Sequence, residues 1–281
     1  SDPVNRDVGP EALGEFDPSF EGLMALVGRL RGPGGCPWDR AQTRATFRDQ
    51  FLEEAYELIE ALDEGDPGAI AEEVGDVLLH AAFQIQIGKE EGSFTDAGVF
   101  AGLIEKLVRR HPHVFKPTGG DPNGGNWDGN DLDAKQLLTN WDDIKRAEKP
   151  AGDRPAAIDG VPSAIPSLAG AQRLGSKAAR TGFDWDDVSG VLDKVQEEIA
   201  ELKDAETPGQ TEAELGDLLF SLVNLGRWLD IDAETALRKA NQRFASRFRA
   251  MEELASERGA DFKALTLSEK EALWQEAKAM R

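Results

Sequence analysis

The 281 residues carry 53 acidic and 32 basic side chains, a formal net charge of −21. That charge repels a polyphosphate backbone, which argues against nucleic acid as a partner; a small polyanion would have to be held through interposed cations. Cys36 is the one cysteine, so no intrachain disulfide forms, and no apolar run nears the roughly 18 residues needed to span a bilayer; a reducing, cytoplasmic setting with no membrane or export signal is expected.

Apolar residues recur at helical spacing and alternating Val/Ile/Thr-rich stretches are scarce, so the chain reads as all-α. Ser1-Asp2-Pro3, with no initiator Met, is set aside. In chain order, Asp17-Pro18 places an N-cap before a first-turn proline and predicts a helix from near 18. A second helix is predicted over 43–63, and Asp66-Pro67 starts a third near 67. Others are predicted over 95–110, 133–147, 187–205, 211–228, 232–258 and 267–280. The Gly/Asn/Asp-rich stretch 118–131 resembles a calcium loop only superficially. Gly125 stands where a ligand is needed and Asn126 where the turn glycine is needed, so a surface loop is expected. The Pro/Ala-rich stretch 150–166 reads as a linker between helical domains at 17–149 and 167–281.

The two halves share an ordered set of landmarks, the strongest organisational signal in the chain. The first half runs Trp38-Asp39, Glu53-Glu54-x-x-Glu57, Glu73-x-x-Asp76, Lys106-x-x-x-Arg110 and Trp141-x-x-x-Lys145. The second runs Trp185-Asp186, Glu197-Glu198-x-x-Glu201, Glu214-x-x-Asp217, Arg243-x-x-x-Arg247 and Trp274-x-x-x-Lys278. Duplication followed by divergence explains this more simply than coincidence.

On the helix at 43–63, Glu53, Glu54, Glu57 and Glu60 form an arc opposite Phe51, Ala55, Leu58, Ile59 and Leu62, which alone reads as a solvated face. The next helix differs, because Glu73 and Asp76 lie among apolar residues nearly all round, as do Glu214 and Asp217 in the second half. Carboxylates buried there would cost several kcal/mol each without a cation, and no Lys or Arg occupies either helix face. A divalent ion is the economical answer. Glu54/Glu57 and Glu73/Asp76 would converge across an antiparallel pair joined at Gly65-Asp66. Such an all-oxygen cluster suits Mg²⁺ or Mn²⁺ rather than zinc. His80, one turn after Asp76, lacks the spacing of a di-iron site and is assigned a supporting or packing role; His111 and His113 read as helix-end residues.

The paired EExxE and ExxD motifs resemble the MazG family and the wider group of all-α NTP pyrophosphatases. Cys36-Pro-Trp-Asp39, the run Arg109 to Phe115, Gly182-Phe-Asp-Trp185 and the run Glu214 to Phe220 look like the full-length, two-domain type from about residue 18 onward. The resemblance implies a Mg²⁺-dependent homodimer that hydrolyses the α–β phosphoanhydride of many ribo- and deoxynucleoside triphosphates. It implies metal ligands at Glu198, Glu201, Glu214 and Asp217, and nucleotide contacts at Lys194, Arg243, Arg247 and Trp274. Through the internal repeat, Glu54, Glu57, Glu73 and Asp76 are the matching ligands, with Lys106, Arg110 and Trp141 as nucleotide candidates. Glu53 or Glu197 would act as base or orient water. Trp141 and Trp274 either stack on the base or serve the core; Lys145 and Lys278 either contact nucleotide or are solvated helix ends. Two other readings stay open: a metal-stabilised helical interaction module, and a narrow hydrolase for one nucleotide such as dUTP.

Overall fold

The computed structural model describes residues 14–111 and 156–280, with Val114, Phe115, Ile144 and Glu148 between them. Among these residues every regular element is a helix, so the all-α reading holds. The chain divides into two compact units, Ser1–Leu132 and Asp133–Arg281. The predicted loop at 118–131 lies outside the described residues, as do Ser1-Asp2-Pro3, His113 and, apart from Ile144, the predicted helix at 133–147. The expected linker at 150–166 is described only from Ala156.

The first unit contains α1 (Phe20–Arg31), α2 (Pro37–Ala41), α3 (Thr46–Glu64), α4 (Pro67–Glu90) and α5 (Asp96–Arg110). α1 starts later than Asp17-Pro18 suggested, because the Ser19 hydroxyl accepts a hydrogen bond from the Gly22 amide at 3.1 Å and makes Ser19 the N-cap. α3 also starts late: Thr43 and Thr46 bond each other's backbone amides through their hydroxyls, holding a turn ahead of the helix. It ends at Gly65, whose φ of 75° favours glycine, and Asp66 then caps α4 with Pro67 in the first turn. A two-residue connection between packed helices makes α3 and α4 antiparallel. α4 is the spine, packing against α1, α3 and α5. Val27, Phe47, Ala82 and Phe83 form the buried cluster, with the Phe47 and Phe83 rings stacked at 4.5 Å.

The second unit contains α6 (Ser167–Ala179), α7 (Val188–Asp204), α8 (Pro208–Trp228), α9 (Ala233–Glu257) and α10 (Leu267–Ala279). Here α8 is the spine, touching α6, α7 and α9. Reciprocal capping boxes, Thr207 with Gln210 and Thr266 with Glu269, start α8 and α10. Met251, Ala255, Leu273 and Ala277 form a buried cluster in the α9/α10 hairpin, bordered by Phe262 and Trp274. In the order of the chain, α3 and α4 carry the EExxE and ExxD motifs of the first unit and α7 and α8 those of the second.

Two helices escaped the sequence reading, α2 and α6. α2 is a five-residue turn, too short for a periodic pattern. α6 has few large apolar residues and no side-chain N-cap; tertiary contacts hold it. Its Gln172 accepts from the Ala233 amide at 2.8 Å and donates to the Ile231 carbonyl at 3.0 Å, pinning α6 to the start of α9.

Candidate metal centre

In the first unit Glu54 and Glu57 stand one turn apart on α3 and face Glu73 on α4. One carboxylate oxygen of each lies within 4.8 Å of the others. Asp76, one turn beyond Glu73, acts electrostatically on both Glu54 and Glu73. Burial pushes the Glu54 carboxyl above its ordinary range, and Asp76, Glu57 and Glu53 push it further. Glu73 is raised likewise, by burial first and then by Glu57, Asp76 and Glu54. Its Oε2 is buried with no hydrogen-bond partner. His80 is buried against the Phe47 ring, with Nε2 3.6 Å from Glu54 Oε1. Burial holds its pKa below the usual value, leaving it neutral beside the acids at neutral pH.

In the second unit Glu198 of α7 and Glu214 and Asp217 of α8 bring their oxygens within 4.8 Å of one another. Glu214 is pushed up by burial and then by Glu201, Glu198 and Asp217, while Lys194 opposes the rise. The Lys194 ammonium lies 2.7 Å from Glu198 Oε1 and 2.8 Å from Glu197 Oε1, which raises its own pKa. Glu198 is only 3% exposed, and its Oε2 has no hydrogen-bond partner. Ser221 is buried at the position matching His80.

The burial expected of the α4 and α8 acids needs correction. Glu73, Asp76 and Glu214 are half-buried and Asp217 is exposed, because the apolar residues around them are themselves uncovered: Val74 is 41% exposed, Leu78 42%, Leu215 47% and Leu219 47%. The deeply buried carboxylate is Glu198 on α7, whose EExxE motif repeats that of the 43–63 helix, where the acidic arc alone read as a solvated face. α7 packs that residue against α8, a burial that helical periodicity alone does not show. The cation missing from the α8 face comes from the neighbouring helix as Lys194. Glu53 and Glu197 are exposed beside their clusters, Glu197 already engaged by Lys194.

Among the basic and aromatic candidates, Arg247 lies 5.7 Å over the Trp274 ring, and its Nε is buried without a hydrogen-bond partner. Trp274 borders the α9/α10 core and lines a cleft of about 350 Å³ with Phe244, Phe248, Phe262 and Lys270. Arg243 and Lys278 are exposed on α9 and α10. Lys106 and Arg110 are half-buried one turn apart on α5, and His111 ends that helix with Nδ1 2.6 Å from the Leu107 carbonyl. Trp141 and Lys145 lie outside the described residues.

Two braces had no role in the sequence reading. Asp184 accepts from Arg227 at 2.6 and 2.9 Å and from the Trp228 indole at 3.0 Å, while Arg227 Nε donates to Asn224 at 2.7 Å. Burial would raise the Asp184 carboxyl, but these donors hold it below its usual range. The brace ties the turn at Gly182, where φ is 87°, to α8. In the first unit Arg31 donates to Glu90 of α4 and to the Asp39 and Gln42 carbonyls, tying the Trp38-Asp39 turn to the other spine. In each unit, then, an arginine ties the segment at or just before the Trp-Asp landmark to the helix that carries the ExxD acids. The signal was the recurring Trp-Asp landmark itself.

Residues 42–115 match the MazG nucleotide pyrophosphohydrolase domain. The chain is 44% identical over 259 residues to the nucleoside triphosphate pyrophosphohydrolase/pyrophosphatase MazG of Thermotoga maritima, covering 92% of this chain and 95% of that protein. It is 37% identical over 262 residues to the nucleoside triphosphate pyrophosphohydrolase of Escherichia coli K12, covering 91% and 95%. It is also 43% identical over 263 residues to the uncharacterized protein YabN of Bacillus subtilis, covering 92% of this chain and 51% of that one.

Proposed function

The chain belongs to the MazG family of nucleotide pyrophosphohydrolases, and on that premise we propose that it hydrolyses many ribo- and deoxynucleoside triphosphates to the monophosphate and pyrophosphate with Mg²⁺. It is a hydrolase acting on phosphoanhydride bonds. The observation that carries the metal reading is Glu198: a buried carboxylate with one oxygen unpartnered, its neighbours Glu214 and Asp217 within 4.8 Å. Glu73 Oε2 repeats the feature in the first unit. These all-oxygen donor sets fit Mg²⁺, with Mn²⁺ as a substitute.

The ligand sets are Glu198, Glu201, Glu214 and Asp217 in the second unit, and Glu54, Glu57, Glu73 and Asp76 in the first. A bound divalent cation supplies charge neutralisation to phosphate oxygens and acidifies water. Glu197 and Glu53, exposed beside the clusters, would orient water or take its proton. Lys194, Arg243, Arg247, Lys106, Arg110, Lys145 and Lys278 would hold phosphates that the net charge of −21 repels. Trp274, with Arg247 against its face and an aromatic cleft beside it, is suited to a nucleobase; Trp141 takes that role by repeat.

A homodimer fits the uncovered apolar surface of α8, where Leu215, Leu219, Phe220 and Leu222 are each more than 40% exposed. No described helix is long and apolar enough to cross a membrane, and a reducing cytoplasm suits the free Cys36. Product analysis after incubation with each common NTP and dNTP and Mg²⁺ is the test. Monophosphate and pyrophosphate from most of them are expected; NDP with orthophosphate would overturn the reaction, and turnover of one nucleotide alone would overturn the broad range.

A further inference from the structure

We propose that Lys194 is a tethered counter-ion of the second acid cluster, so that this site takes its divalent cation together with a triphosphate, whereas the first cluster takes its cation alone. The inference rests on the metal and triphosphate reading above and adds an order of events to it.

The Lys194 ammonium stands 2.7 Å from Glu198 Oε1, and Glu198, at 3% exposure, has little access to solvent screening. Its other oxygen has no partner, so Lys194 is the charge that compensates Glu198 in the metal-free protein. A divalent ion seated among Glu198, Glu214 and Asp217 would place like charge beside that ammonium. Lys194 must then leave. Its four-carbon stem lets it swing, but leaving costs the charge-assisted bonds to Glu197 and Glu198 unless another anion receives it. The phosphates of a nucleoside triphosphate are such an anion. Cation and triphosphate therefore each remove an obstacle to the other, and the coupling is reciprocal.

The first unit lacks this lock. The residue four places before Glu54 is Gln50, which carries no ammonium, and the His80 imidazole stands 3.6 Å from Glu54, farther than Lys194 from Glu198. Glu54, Glu57 and Glu73 bring carboxylate oxygens within 4.8 Å of one another, a crowding of like charge that a cation relieves without displacing an ammonium.

Mn²⁺ binding to the full-length chain, followed by electron paramagnetic resonance, tests this. E54Q with E57Q leaves the second site to be read, and E198Q with E201Q leaves the first. Each background is titrated with and without a non-hydrolysable α,β-methylene triphosphate, correcting for Mn²⁺ bound by the free analogue. The analogue should tighten Mn²⁺ at the second site by about tenfold and at the first by much less. Adding Lys194→Gln should tighten Mn²⁺ at the second site without the analogue and shrink the coupling, whereas Lys194→Arg keeps it. Gln50→Lys should weaken analogue-free binding at the first site and create coupling there, which also guards against a misfolded Lys194 variant. Unchanged or weaker Mn²⁺ binding in Lys194→Gln, with wild-type coupling intact, overturns the counter-ion role while the metal reading stands. No Mn²⁺ binding in either background overturns the metal reading itself, and this inference with it.

Discussion

The two acid clusters carry the same motif spacing, yet one gathers two acids from its EExxE helix and one from its ExxD helix, the other one and two, and their charge is balanced in different ways. In the first unit Glu54, Glu57 and Glu73 face one another beside a neutral His80, and Glu54 and Glu73 are pushed above the usual carboxylate range. In the second, Glu198 is deeper and Lys194 bridges it to Glu197. Recurring motifs thus place acids on facing helices in both units, while one residue a helical turn upstream sets the charge balance. The hydrophobic support differs as well: one buried cluster joins α1, α3 and α4, the other lies in the α9/α10 hairpin.

The largest expected effect separates those supports. Phe83→Ala empties the centre of the first cluster and should cost about 3–5 kcal/mol. Urea unfolding followed by hydrogen exchange should show the loss in α1, α3 and α4 with α9/α10 protection retained. Equal loss of protection in both units would show that they unfold as one.

Activity should split the clusters next. E198Q with E201Q should reduce pyrophosphate release by about a hundredfold or more, while E54Q with E57Q retains about half. Steady-state kinetics decides it, and a dead first-unit variant would reverse the assignment of the principal site. In the same assay Lys194→Gln should raise KM severalfold, more than Gln50→Lys does, because only the former loses a phosphate-facing cation.

A smaller effect tests the α9/α10 hairpin. Thr266→Ala removes the hydroxyl that accepts from the Glu269 amide and breaks a reciprocal capping box, at a cost of about 1 kcal/mol. Thermal melts should register it, and Thr266→Ser should recover most of it.

The smallest effect is a pH dependence. A carboxyl raised in the folded state holds more protons folded than unfolded, so its stabilising contribution is lost as pH rises from the unfolded value, near 4.5, through the raised one. With Glu54 and Glu73 both raised, the metal-free first unit should lose stability over that window, and Glu73→Gln should relieve part of it. In EDTA the variant should therefore melt above wild type at neutral pH, with the gap closing on acidification. Mg²⁺ should favour wild type. A pH-independent gap would mean that Glu73 acts through packing rather than charge.

Much of this was legible in the sequence because it is encoded locally. Helical period and the Asp66-Pro67 start depend on neighbours within one turn and are found in place, and acids of both motifs meet in each unit, Glu54 and Glu57 with Glu73 and Glu198 with Glu214 and Asp217. α6 was not legible: its residues are small and weakly periodic, and bonds from Gln172 to the start of α9 hold it. Nor was the depth of the acids. Asp217 lies among apolar neighbours and is exposed, while Glu198 lies on an acidic stripe and is buried. A helical wheel says which residues share a face, but only the docking of α7 on α8 decides which face loses water, and with it which carboxylate needs a cation.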